Sequence, residues 1–244
     1  YEFKRLIPIG EEGDVMVQDL ADRLAKVDLL HRAAELLEHQ IAFRQDKQAR
    51  SKLGSRLAMI YLLNGEPKKS LETLEVTNYG ENPAELRQRR QRIAAMAFAS
   101  TGEPQRGVDM LEGDPSREAQ LVRLNLYWQM REWRNVIRSG EALMGIRPDV
   151  TAPLTQQESE VMLQLAIAYM FERENDQLAY LRDVFGPLMP DGPNKEIFAF
   201  VTNTSGPVTP QQFSQVSDQI SRMENFMQSY RDQVETGGLS SILN

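Results

Sequence analysis

Residues 57–75 read LAMIYLLNGEPKKSLETLE, and residues 94–112 read AAMAFASTGEPQRGVDMLE. The two windows lie 37 residues apart and share seven of 19 positions: Ala, Met, the triplet Gly-Glu-Pro, Leu and Glu. Their mechanics match as well as their letters. Gly65 and Gly102 suit the left-handed position just past a helix end, where a side chain is penalised. Pro67 and Pro104 suit the first turn of the next helix, whose N–H groups have no intrahelical partner. Apolar residues on both sides recur at spacings of three and four, the helical period. Each window therefore predicts helix, tight turn, helix: an αα-hairpin used at least twice.

Outward from these windows the same period continues. Asp14 is placed to cap a helix near 15–26, and a second helix over 28–45 carries Leu30, Ala33, Ala34, Leu37 and Ile41 on one stripe. A third runs over about 47–63. No run alternates apolar and polar residues in the manner of a strand, and no Asn-Gly turn joins two such runs. Breaks fall at Asn78–Pro83, Gly113–Pro115, Gly145–Pro153 and Gly186–Pro193, each combining Gly or Asn with Pro. Residues 201–209 read as a linker.

The chain resembles the tetratricopeptide repeat family, whose period is near 34 residues. The residues that carry the likeness are Leu57, Ala58, Tyr61, Gly65, Ser70 and Leu74 in one copy. Ala94, Ala95, Phe98, Gly102, Gly107 and Leu111 carry it in the next. Two weaker copies hold Leu124, Tyr127, Trp133 and Val136, then Leu165, Ala166, Tyr169 and Leu178. In these, Arg131 and Arg173 stand where the turn glycine belongs. The resemblance covers roughly residues 28–185. It implies an all-α fold, a right-handed solenoid of antiparallel helix pairs, with a concave groove as the working surface. The groove positions it implies are Lys52, Ser55 and Met59, then Arg89, Arg92 and Met96, then Asn125 and Trp128. The family's carboxylate clamp wants Lys and Asn where this chain has Ser55, Met59 and Ile93. That departure points away from chaperone tails and toward a partner segment both apolar and anionic. On this reading, exchanging Arg89 and Arg92 for Glu weakens binding without lowering the melting temperature.

Composition narrows the function classes. The 244 residues carry 28 Lys+Arg against 35 Asp+Glu, a net charge of −7. An acidic chain is a poor match for nucleic acid, whose partners present basic surfaces. Apolar runs such as Leu57–Leu63 reach seven residues, against the roughly 20 that span a bilayer. Zero Cys removes disulfides, thiolate catalysis and Cys-based zinc sites. No phosphate loop, dinucleotide fingerprint or nucleophile elbow is present. The chain begins at Tyr1, which points to a processed product or a piece of a longer protein. Together with the missing Cys, that start leans toward a bacterial cell envelope or periplasm, with cytoplasm as the alternative.

His31 and His39, with Glu35 between them, stand eight apart, roughly 12 Å along a helix axis. They cannot share one metal ion, and they oppose the apolar stripe, so a solvated face is the reading. No metal, cofactor or catalytic residue is assigned. The run Arg87, Arg89, Arg90, Arg92 places like charges three apart, which is mildly unfavourable unless anions are near. It reads either as a docking patch for a partner's carboxylates or as a solvated face. Tyr127 and Trp133 read as core, and Trp128 as core or as an exposed binding anchor. Met59 and Met96 read as adaptable groove residues or as core filler. The sequon at Asn203 is given no role.

The C-terminal segment closes the reading. Phe213, Val216, Ile220, Met223, Met227, Tyr230 and Val234 recur at spacings of 3, 4, 3, 4, 3 and 4, between Thr209-Pro210 and Gly237-Gly238. This predicts an amphipathic helix over 210–236 that caps the last repeat along the 155–200 region, with a tail over 237–244. Self-association through the same seam is the alternative. The remainder divides into an extended lead-in over 1–13 and the repeat array over 14–200. The function expected is a non-enzymatic protein–protein interaction scaffold or assembly factor in a larger bacterial complex, binding a protein, peptide or helix. The alternatives are a ring or filament subunit that assembles through its ends, and a helical accessory domain of a longer enzyme.

Overall fold

The Gly-Glu-Pro turns fold as their chemistry requires. A computed structural model describes residues 11–44, 46–145, 151–203 and 226–243, and the chain is all-α, about 80% helical, with no strand among the described residues. The helices are α1 (Glu11–Lys26), α2 (Leu30–Phe43), α3 (Lys47–Leu63), α4 (Pro67–Val76), α5 (Ala84–Ser100) and α6 (Pro104–Met110). They continue as α7 (Arg117–Gln129), α8 (Trp133–Gly145), α9 (Gln156–Glu172), α10 (Asn175–Phe185) and α11 (Pro193–Thr202). Last come α12 (Phe226–Gly237) and the single turn α13 (Ser240–Leu243). Helices pack chiefly on their neighbours in sequence, an arrangement compatible with a helical repeat.

One turn geometry recurs five times. After α3, the N–H of Glu66 donates to Tyr61 O (2.8 Å) and that of Gly65 to Leu62 O (3.1 Å). This double bond pattern around a left-handed residue satisfies carbonyls that the helix end would otherwise orphan. Glu103 and Gly102 repeat it after α5, Glu132 and Arg131 after α7, and Glu174 and Arg173 after α9. Gly65 (φ 75°) and Gly102 (φ 90°) occupy the position expected of them, and Arg131 (58°) and Arg173 (62°) adopt it without glycine's freedom. The fifth copy follows α1: Asp28 has φ 56°, and Leu29 donates to Leu24 O. The α1–α2 pair is thus a further hairpin, one period before Gly65. Seven residues ahead of each turn residue stand Ala21, Ala58, Ala95, Leu124 and Ala166, all at most 1% exposed. At four of the five the residue is alanine, which lets a neighbouring helix approach closely.

The chain divides into two units, residues 1–114 with 226–244, and residues 115–225. In the first unit α3 is buried almost all round, because α2, α4, α5 and α12 each lie against it. Its start is fixed by Asp46, whose carboxylate accepts from Ala49 N (2.6 Å). At Gly54 the end of α4 comes so near that an added Cβ would meet Thr77 at 2.1–2.8 Å. In the second unit α9 fills the same central role between α8, α10 and α11, opening on a capping box of Thr155 and Glu158. Its core gathers Leu124, Trp128, Val136, Leu143, Leu165 and Phe198.

Two expectations are corrected. Asp14 does not cap α1, which already includes residues 11–13; its buried carboxylate accepts from Gln40 Nε2 (2.9 Å) and Arg44 Nη2 (2.5 Å), tying α1 to α2. The described part of the C-terminal helix does not take its expected place along the 155–200 region. That part, α12, packs on α1 and α3 in the first unit. Residues 210–225, the lead-in over 1–10 and the Thr209-Pro210 cap fall outside the described residues, as do 146–150 of the Gly145–Pro153 break.

Candidate functional site: the first-helix face of the N-terminal unit

The implied groove positions lie on the first helix of each hairpin: α3 and α5 in one unit, α7 in the other. The structure buries four of these eight. Ser55 is fully buried with its hydroxyl donating to Lys52 O (2.7 Å), and Met59 and Met96 are 1% and 4% exposed. The two methionines are therefore core residues. Met59 lies on α3, which packs against α2, α4, α5 and α12. Lys52 is exposed, and Asn125 is half-buried, accepting from Gln164 Nε2 (3.2 Å) on α9. Trp128 is not an anchor: it is 1% exposed, edge-on to Trp133 at 5.4 Å. Its buried indole N–H has no oxygen or nitrogen acceptor among the described residues. Trp133 is only partly buried and stacks at 4.5 Å on Phe171, itself 47% exposed.

The arginine run resolves residue by residue. Arg90 is buried and donates to Ser51 O (2.7 Å), Thr77 Oγ1 (3.2 Å) and Leu74 O, joining α3 and the end of α4 to α5. No carboxylate balances it, and burial pushes its guanidinium down to about 10, still cationic at neutral pH. Arg87 donates to Asn82 O (2.6 Å). Arg92 pairs with buried Asp114 at 3.7 Å. Its exchange for Glu would set two carboxylates together inside the unit, so the expectation that this change spares stability is withdrawn.

Arg89 differs. Its side chain is 12% exposed, its Nε is buried without an acceptor, and its ion pair is a 3.6 Å approach to Glu85, which is 83% exposed. Burial lowers its pKa, Glu85 opposes that, and the nearby cations Arg92 and Arg56 reinforce it. A desolvated guanidinium among cations, with one solvated carboxylate at long range, is short of negative charge.

Beside it lies a polar lock that the sequence does not announce. Arg56 on α3, 5% exposed, donates to the Asp22 carboxylate on α1 and to Ser240 Oγ (3.2 Å). The hydroxyl and N–H of Ser240 donate in turn to Asp22 Oδ2 at 2.6 and 3.2 Å. Arg231 on α12 donates through both Nε (2.9 Å) and Nη2 to Leu63 O, at the C-terminal end of α3. A cation there also meets the negative end of the helix dipole. Asp22 stands where Met59 and Met96 stand in the next two hairpins, which is the one sign of the lock that the 37-residue period carries.

His31 and Glu35 are exposed and His39 half-buried against Phe43 (4.5 Å). Among the described residues no three His, Cys, Asp or Glu gather as metal ligands would, and no helix is long and apolar enough to cross a membrane. No protein-family model, curated protein or solved structure matches the chain.

Proposed function

We propose that the protein is a non-enzymatic interaction scaffold, its hairpins forming short stretches of a right-handed tetratricopeptide-like solenoid. Its ligand is an acidic segment of another protein, received on the first-helix face of the N-terminal unit. The observation that carries this reading is Arg89, a nearly buried guanidinium held close to two other arginines with too little negative charge around it. A partner carboxylate supplies the missing acceptor in a bidentate geometry that suits guanidinium. Met59, Met96, Ser55 and Trp128 leave the list of contacts, so the apolar share of the expected partner falls and the anionic share stands.

The test is crosslinking with mass spectrometry in the native cell, followed by titration of the captured acidic segment against the full chain. Removing one member of a desolvated charge pair costs about 2–5 kcal/mol. Arg89→Glu should therefore weaken affinity by at least 30-fold, and Arg89→Met should leave the melting temperature unchanged or higher. Unaltered affinity in Arg89→Glu, or a collapse of Arg89→Met, disposes of the reading.

A further inference from the structure

Residues 231–243 are tied to the N-terminal unit in a way that a simple end cap does not require. A cap stacks on the outer side of a terminal hairpin, touching both of its helices. Instead, α12 lies chiefly against α1 and next against α3, the first helices of consecutive hairpins, and less against α2. An element that touches successive first helices more than the second helix between them lies toward the first-helix face, where a repeat array receives its ligands. Its attachments are specific. Val234, Leu239 and Leu243 are buried; Arg231 reaches the end of α3; Ser240 enters the Asp22–Arg56 pair. Gly238, at φ +77°, passes so close to α1 that an added Cβ would meet Lys26 Cε at 3.0 Å and Asp22 Cβ at 3.3 Å. The contact resembles a docked peptide more than a shared core, with polar anchors at both ends and three apolar knobs along its length.

We propose that residues 231–243 are an internal ligand. They occupy a helix-receiving face made by α1 and α3, and another protein's helix enters only by displacing them. The pattern that recognises this face is Arg at the first position, Val three on, Leu at eight and twelve on, and a small hydroxyl residue at nine on. The inference shares with the preceding section only the idea that first helices bind ligands. It does not depend on Arg89, so each proposal can fail while the other stands.

A tethered ligand acts at an effective concentration of order millimolar and masks its site from the same sequence added in solution. The probe is a labelled synthetic peptide of residues 226–244, titrated by fluorescence anisotropy into two full-length chains, the wild type and Gly238→Val with Leu243→Asp. The substitutions unhook the tethered copy and leave α1 and α3 untouched. The expected result is a double variant that keeps its helical circular dichroism and binds the peptide at least about 10-fold more tightly than wild type. A peptide carrying the same two substitutions should not bind. Equal binding to both chains, binding of the altered peptide, or a double variant that loses its fold would each overturn the proposal, the last by showing the segment to be core.

Discussion

Gly54 offers the sharpest test of how the N-terminal unit is packed. It sits inside α3, where alanine would ordinarily gain about 1 kcal/mol of helix propensity. The end of α4 forbids that gain. A Cβ at position 54 would lie 2.1 Å from Thr77 Oγ1, 2.6 Å from its Cβ and 2.8 Å from its Cγ2. The threonine cannot turn away, because its hydroxyl donates to Thr73 O (2.6 Å) and accepts from Arg90 (3.2 Å). Overpacking costs about 1–3 kcal/mol, and a rigid neighbour puts this site at the upper end, so Gly54→Ala should lose about 2 kcal/mol net. Thr77→Gly removes all three clashing atoms but gives up the bond to Thr73 O and the forked bond from Arg90, at about 1 kcal/mol for each partner, for a loss of about 2–3 kcal/mol. Were the sites independent, the double variant would lose about 4–5 kcal/mol; moving the small residue across the contact should hold it near the Thr77→Gly value. That coupling, about 2 kcal/mol, is what contacting pairs show. Urea titrations followed by far-ultraviolet circular dichroism measure it, while tryptophan fluorescence reports the second unit, which holds both Trp128 and Trp133. A neutral Gly54→Ala, or additive losses, would refute the packing argument.

The turn residues and the tyrosines make two further tests. Gly65→Val should cost about 1–2 kcal/mol, whereas Arg173→Gly should gain about 0.5–1 kcal/mol by relieving a left-handed arginine; thermal melts that rank them otherwise contradict the shared turn. Burial, reinforced by hydrogen bonds to Glu38 and Glu141, raises the pKa of Tyr61 and Tyr169 well above 10.0. The unfolded chain then ionises first, so stability that is complete below pH 10 is lost as the pH climbs past it. Tyr61→Phe should flatten the fall of the urea midpoint between pH 9 and 11, and an equally steep fall in both proteins would contradict the assignment.

Much of this architecture lies open in the sequence, because a hairpin is a local object. Gly65 and Gly102 announce left-handed turns, and Pro67 and Pro104 announce helix starts. The period of three and four carries the rest, since helical hydrogen bonds close within four residues. The same letters conceal the α1–α2 hairpin, whose turn residue is Asp28 rather than glycine, and they mislead where burial depends on distant partners. Met59, Met96 and Trp128 sit at positions that face outward in an isolated hairpin; which of them meets water is decided by what the rest of the chain lays over them. Arg90 and Arg89 are one residue apart and alike in chemistry, yet one is spent on three acceptors of its own unit and the other is left short of charge. The docking of residues 231–243 on α1 and α3 spans up to 218 residues of separation. No local period encodes such a contact, because it depends on shape and charge that exist only once both surfaces have folded.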